Sequence, residues 1–247
     1  MVEASSPLAL MVWLINFLAD RFGNRAVLKG GMELRLLGCP RHTNDIDYVF
    51  VPFSSKNDVR DLVLPALRET PELRVEHSLS SRCLRCVCTH QTARVQVEIN
   101  VATECASQEL STATLARAND QQGRIVRGMR LDVALAHKLA AWNERGLVRD
   151  LYDCHFMADV LAVRPDMATL KRRLAATELR TGRKTTKVSM EVADLVARLD
   201  TALSSLTQPL VEEQMRDFRR PEELPGLEKK IRIGVSKLLS VLGQERP

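Results

Sequence analysis

The hydrophobic period of this sequence changes near Gly128, and that change limits the folds that the chain can adopt. Before it, short β-branched and apolar runs bounded by Gly, Pro and Asn alternate with stretches of helical period. After it, apolar residues recur with helical spacing over 131–145, 147–161, 188–206 and 227–242. The first half therefore predicts strands combined with helices, an α/β class, and the second half predicts a helical region.

The chain has 247 residues, which is enough for one large domain or for a core with an appendage. Hydrophobic residues make up 45% and charged residues 27%, so disordered, collagen-like and low-complexity classes are excluded. No internal repeat or long linker divides the sequence. We place a soft boundary near residue 160, with a core over 1–160 and a helical C-terminal region over 161–247.

The most apolar stretch, residues 7–19, predicts a buried first helix. It is broken by Asn16 and closed by Asp20, whereas a membrane span needs about 20 continuous apolar residues. It follows Glu3 rather than a basic region, which argues against a secretory signal. The six cysteines are unevenly spaced and do not resemble a disulfide framework, so we expect a cytoplasmic protein without a membrane partner.

Two carboxylates on one predicted strand are the clearest candidate for chemistry. Asp45 and Asp47 stand at i and i+2 over 45–51, so both side chains project from the same face. Two like charges so close repel unless a cation lies between them, and Mg²⁺ takes oxygen ligands such as carboxylates and substrate phosphates. A solvent-facing pair is the alternative interpretation.

Two further features strengthen the metal interpretation. The turn Gly30-Gly31 joins a predicted strand over 26–29 to a helix, and such turns present backbone N–H groups to phosphate. Glu98 lies on the polar side of the strand 94–101. Three carboxylates beside a phosphate-binding turn suit a two-metal site for phosphoryl or nucleotidyl transfer, in which Glu98 is a third metal ligand.

Two motifs, taken with their order and spacing in the chain, resemble those of a known protein family. The first runs over Leu28–Leu36 and continues through His42-Thr43-Asn44-Asp45-Ile46-Asp47. The second comprises Lys138-Leu139-Ala140-Ala141, then Arg149-Asp150-Leu151-Tyr152-Asp153. Together they resemble the AbiEii/AbiGii nucleotidyltransferase toxin family of the polymerase-β-like nucleotidyltransferase superfamily. The resemblance covers roughly residues 25–160.

The resemblance implies a nucleotidyltransferase core with a mixed sheet. It also implies an enzyme that uses a nucleoside triphosphate and Mg²⁺ to attach nucleotides to an acceptor, and a cognate antitoxin. In some relatives, including the mycobacterial MenT toxins, the acceptor is the 3′ end of transfer RNA. The residues that it implies for the triphosphate are Lys29, Gly30, Gly31 and Lys138. Those for Mg²⁺ are Asp45 and Asp47, and Asp150 completes the catalytic set.

Lys138 also has a physical argument of its own. It lies on a mostly apolar helix, where a lysine either extends its ammonium to solvent or pairs with an anion, and a triphosphate is a suitable anion. Asp150 and Asp153 share one helix face at i and i+3. The superfamily usually has Gly-Ser at the turn, whereas this chain has Gly31 and then Met32, and this difference bears on substrate choice rather than on fold.

The excess of positive charge lies in the second half of the chain. Residues 164–187 hold eight basic residues against Asp166 and Glu178, which suits a polyanion such as RNA. A solvated helix face is the alternative. Three other functions stay open: nucleotidyl transfer to a protein hydroxyl, transfer to a small molecule, and a non-catalytic RNA- or antitoxin-binding module.

The run Cys83-x-x-Cys86-x-Cys88-x-His90 invites a zinc interpretation that we do not adopt. On a strand, Cys83 points away from the other three, and no second cysteine pair completes four ligands. Buried, thiol-bearing core residues are the interpretation that we favour.

Overall fold

The computed structural model describes residues 6–181 and 184–244, and places them in two compact units, 1–130 and 131–247. The helices of the first unit are α1 (Pro7–Phe22), α2 (Gly30–Leu36), α3 (Lys56–Arg68) and α4 (Ala113–Arg117). Its strands are β1 (Ala26–Lys29), β2 (Asp45–Phe50), β3 (Arg74–Leu79), β4 (Leu84–His90), β5 (Ala93–Val101), β6 (Ser107–Ser111) and β7 (Ile125–Met129).

The described strands of this unit form one mixed sheet in the order β3-β4-β5-β2-β1-β7-β6. β1 runs antiparallel to β2 and parallel to β7, while β2 runs parallel to β5. The remaining neighbours, β3 with β4, β4 with β5 and β6 with β7, are antiparallel. The α/β class and the mixed sheet of the sequence analysis are therefore confirmed.

One face of the sheet is covered by α1 and α3, and the core lies there. The β5 side chains on this face are buried: Ala93, Val95, Val97 and Ile99. Those of the opposite face are only half-buried: Gln96, Glu98 and Asn100. Glu98 thus faces away from the apolar stripe, as its alternation predicts.

The second unit is helical apart from one hairpin. Its helices are α5 (Leu131–Arg145), α6 (Val148–His155), α7 (Met167–Leu174), α8 (Val192–Ser205), α9 (Gln208–Met215) and α10 (Leu227–Gln244). A turn of π-helix, Phe156–Val160, extends α6. The hairpin pairs β8 (Thr177–Thr181) with β9 (Lys184–Val188) in antiparallel register. None of the described helices is both long and apolar enough to cross a membrane.

The packing divides the chain earlier than residue 160, where the sequence analysis placed a soft boundary. α5 packs against α6 and α7, and α10 packs against α6 and α8. Since α5 and α6 bury their apolar faces among later helices, residues 131–160 belong with the C-terminal elements.

Some elements escaped the sequence analysis. β6 and β7 carry polar and charged residues, such as Gln108 and Arg127, that hide their alternation. The hairpin β8–β9 interrupts a region that was expected to be helical. Residues 177–188 are rich in threonine, and this β-branched residue favours strands.

Candidate active site

The aspartate pair lies at the start of β2, on the half-buried face of the sheet. Asp45 and Asp47 are both partly exposed, whereas Ile46 between them is buried. The antiparallel register with β1 places Lys29 opposite Asp47, and Lys29 Nζ lies 3.6 Å from Asp47 Oδ1. The structure thus places three predicted residues of the first unit together.

Gly30 follows β1 and leaves the space in front of Asp47 open. Its φ of +75° belongs to the left-handed region, which a residue with a Cβ enters at a cost. A Cβ built on Gly30 would lie 2.6 Å from Asp47 Oδ2, closer than van der Waals contact allows. Only glycine fits this position without displacing the Asp47 carboxylate.

Gly31 packs against Thr43, a residue for which the sequence analysis proposed no role. A Cβ on Gly31 would lie 2.6 Å from Thr43 Oγ1. That hydroxyl donates a hydrogen bond to Asp45 Oδ1 at 2.9 Å. A side chain at position 31 would therefore collide with Thr43, because the threonine side chain occupies the space next to the turn.

Glu98 lies beside Asp47 in the parallel register of β2 with β5. Its Oε1 accepts from Arg85 Nη2 at 2.9 Å and from Gln96 Nε2 at 2.9 Å. Arg85 comes from β4, where it is paired in register with Glu98. The carboxylate predicted as a third metal ligand is thus held by neighbouring side chains.

The three carboxylates share one feature. Each has one oxygen engaged, Asp45 by Thr43, Asp47 by Lys29 and Glu98 by Arg85. In the described ranges, no hydrogen bond is found at the other oxygen of any of them. Fixed carboxylates with one open oxygen are suited to hold a cation.

The donor chemistry fits a hard divalent ion, although a complete protein cage is not formed. Within residues 6–181 and 184–244, no three His, Cys, Asp or Glu side chains are grouped closely enough to hold a metal. A Mg²⁺ ion commonly uses one or two carboxylates with substrate phosphates and water. Asp45 and Asp47, with the open space at Gly30, match that partial ligand set, while Glu98 as a third ligand stays a prediction.

The second unit contains the other predicted residues, and they form an ion-pair network between α5 and α6. Lys138 Nζ lies 2.6 Å from Asp153 Oδ2 and 3.7 Å from Asp150 Oδ1. Arg145 Nη2 lies 2.8 Å from Asp150 Oδ1 and 2.9 Å from Asp150 Oδ2. The i, i+3 spacing of the aspartates does place them on one face, as predicted.

Burial separates the anions of this network from its cations. The side chains of Asp150 and Asp153 are 1% and 0% exposed, whereas those of Lys138 and Arg145 are 18% and 43% exposed. Burial, with the charges of Asp150 and Asp153 as a smaller contribution, raises the pKa of the adjacent Cys154 thiol. Cys154 therefore stays protonated. The exposed fractions show that the network presents its cations, and not its carboxylates, to solvent.

Sequence reasoning missed Arg85 and Arg145 as neighbours of predicted carboxylates. Arg85 meets Glu98 only through the antiparallel register of β4 with β5. Arg145 meets Asp150 across the short connection from α5 to α6. An arginine five residues before an aspartate is only a weak signal of an ion pair. The directions of the two side chains are not known until the helices are packed.

The cysteines of β4 lie in the core, as the sequence analysis favoured. Cys86 and Cys88 are fully buried among the apolar side chains under the sheet. Burial raises the pKa of both thiols to about 12. His90 is also buried, and its Nε2 lies 3.4 Å from Glu72 Oε2.

The basic segment 164–187 covers α7 and the hairpin β8–β9. Lys171, Arg172 and Lys187 are exposed, while Arg173 Nη2 pairs with Glu144 Oε1 at 2.9 Å. Arg183 lies outside the described residues, as do the side chains of Arg180 and Lys184. The described part of the segment is thus a helix followed by a hairpin rather than one helix face.

Solved structures with a similar architecture include two that match nearly the whole chain. MenT4, a nucleotidyltransferase toxin from Mycobacterium tuberculosis H37Rv, is 18% identical with a TM-score of 0.55, and the match covers 96% of this chain and 85% of that one. JHP933 from Helicobacter pylori is 15% identical with a TM-score of 0.55, over 95% of this chain and 91% of that one. Among curated proteins, none is significantly similar in sequence. The fold is therefore that of the nucleotidyltransferases.

The family model for the nucleotidyl transferase AbiEii toxin of type IV toxin–antitoxin systems matches residues 14–233. The match spans both units and includes every predicted site residue. The chain belongs to this toxin family, and it is a nucleotidyltransferase.

Thr43 offers a first test of the site geometry. Thr43→Val keeps the side-chain shape beside Gly31 but removes the hydrogen bond to Asp45, and bonds to charged groups contribute about 1.5–3 kcal/mol. We expect nucleotide transfer by this variant to fall by about 10-fold or more. Thr43→Ser retains the hydroxyl and serves as the control; equal activity of the valine and serine variants would contradict the role of the hydroxyl.

Proposed function

We propose that this chain transfers a nucleoside monophosphate from a nucleoside triphosphate to the 3′-terminal hydroxyl of transfer RNA, with Mg²⁺ as cofactor. The observation that carries the proposal is the set of fixed carboxylates with one open oxygen each, next to a glycine turn. The cytosol is the compartment in which we place the reaction, because its substrates are found there.

Asp45 and Asp47 are the residues that would hold Mg²⁺. When bound, the ion supplies charge neutralisation at the phosphates and activation of the attacking hydroxyl. The chain's own contribution is to position the carboxylates: the Thr43 hydroxyl fixes Asp45, and Lys29 fixes Asp47. Glu98, held by Arg85, or Asp45 accepts the proton of the acceptor hydroxyl.

Cationic groups would bind the substrates. Lys29 at the end of β1 and Lys138 on α5 are the proposed triphosphate contacts. The exposed basic residues of 164–187 support an RNA acceptor, since each neutralised phosphate releases counterions. An antitoxin that blocks one of these surfaces is the partner expected for a member of a toxin–antitoxin family.

Labelling of transfer RNA tests the proposal directly. The purified protein is incubated with bulk transfer RNA, Mg²⁺ and each nucleoside triphosphate labelled at its α-phosphate, with Asp45→Ala/Asp47→Ala in parallel. We expect label in the RNA with the wild-type protein and none with the double variant.

A chemically blocked acceptor locates the site of attachment. Periodate oxidation destroys the 3′-terminal diol of transfer RNA, so oxidised RNA should take up no label. Label on oxidised RNA would exclude the 3′ end as acceptor, and label on the protein itself would move the acceptor to a side-chain hydroxyl.

A further inference from the structure

We propose that Arg145 is a second phosphate-binding cation beside Lys138, and that Asp150 and Asp153 are buried counter-ions that position the two. The inference deepens the proposed function, because the anion it assigns to the pair is the triphosphate of the nucleotide. It also makes Asp150 a positioning residue rather than a catalytic one.

The two cations converge on one atom. They lie seven residues apart on α5, two turns along the same face. Lys138 Nζ is 3.7 Å and Arg145 Nη2 is 2.8 Å from the same oxygen, Asp150 Oδ1. The two nitrogens are therefore no farther apart than the sum of these distances, a spacing that one polyphosphate can bridge.

The hydrogen-bonding capacity of Arg145 is only partly used. Its Nε and Nη2 donate to Asp150, and no hydrogen bond is found at Nη1 within the described chain. A guanidinium has five N–H donors, so those of Nη1 are left for a second anion. The side chain is 43% exposed, which gives such an anion access from solvent.

The carboxylates lie on the inner side of the network. Asp150 is buried, and it accepts from Arg145 with both oxygens. Asp153 is buried as well, with Lys138 Nζ at 2.6 Å from its Oδ2. Each carboxylate therefore fixes the direction of one cation, and neither can contact a ligand that stays at the surface.

Binding of inorganic tripolyphosphate, measured by calorimetry without metal or nucleotide, tests the inference. Arg145→Gln alone would leave the Asp150 charge buried with less compensation, so the main variant is Arg145→Gln/Asp150→Asn. We expect its affinity for tripolyphosphate to fall about 10-fold, with Arg145→Lys between it and the wild type.

Arg216→Gln is the matched control, because it removes the same charge from an exposed position of the same unit. Its affinity should equal that of the wild type, and circular dichroism verifies that each variant is folded. Wild-type affinity in folded Arg145→Gln/Asp150→Asn, or no tripolyphosphate binding by the wild type, would overturn the inference. The inference would also be overturned if Arg145→Gln/Asp150→Asn lost affinity for transfer RNA but kept its affinity for tripolyphosphate.

The outcome is separable from that of the proposed function. Tripolyphosphate binding that depends on Arg145, without nucleotide transfer to RNA, would retain the inference and refute the proposed reaction. Nucleotide transfer to RNA, together with unaltered tripolyphosphate binding in the Arg145 variants, would support the proposed reaction and refute the inference about Arg145.

Discussion

Asp45→Asn and Asp47→Asn, each as a single change, are expected to lower nucleotide transfer by at least about a thousand-fold, because metal ligation contributes several kcal/mol to such reactions. Asparagine keeps the shape of each side chain, and both positions are partly exposed, so the fold should persist. Initial rates of label transfer at saturating Mg²⁺ measure the effect.

Asp61→Asn is the matched control for these variants. Asp61 is an exposed carboxylate of α3 that pairs with Arg60 on the surface of the same unit. This variant should transfer nucleotide at the wild-type rate. Full activity in folded Asp47→Asn would show that the assignment of Asp47 to metal binding is wrong.

Gly30→Ala is expected to lower nucleotide transfer strongly, because the new side chain crowds the Asp47 carboxylate. The new Cβ would lie 2.6 Å from Asp47 Oδ2, so the carboxylate must move or the turn must open. We expect a loss of transfer of at least about 100-fold, since small misplacements of catalytic groups have effects of that size. The left-handed backbone should add about 1–2 kcal/mol of destabilisation.

Gly38→Ala separates the two effects of that substitution. Gly38 has a φ of +88°, but a Cβ built there meets nothing within 4 Å. Denaturant unfolding should show a similar destabilisation for both variants, with transfer lost only in Gly30→Ala. If both variants lost transfer equally, backbone strain rather than the approach to Asp47 would be the cause.

Local patterns in the sequence predicted much of the first unit. The alternation of 94–101 placed Glu98 on the open face, and the i, i+2 spacing placed Asp45 and Asp47 together. Period 2 and period 3.6 are properties of a single segment, so they can be read without knowledge of its neighbours. β7 was missed because Arg127 and Gly128 interrupt its apolar pattern.

The partners of the site residues could not be predicted in the same way. Arg85 meets Glu98 because β4 and β5 pair in one particular register. Thr43 meets Gly31 because the loop before β2 folds back on the start of α2. Such contacts depend on which segments become neighbours, and sequence spacing carries little information about that.

The sequence by itself determined the α/β class of the first unit, the aspartate pair on one strand face, and the motifs that indicate the family. Each depends on residues that are close in the chain or on a short motif. Only the tertiary structure decided that one oxygen of Asp45, Asp47 and Glu98 is engaged by a neighbouring side chain. It also decided that Asp150 is buried and paired with Arg145. Burial and side-chain pairing are set by packing between segments, so they become visible only when those segments are assembled.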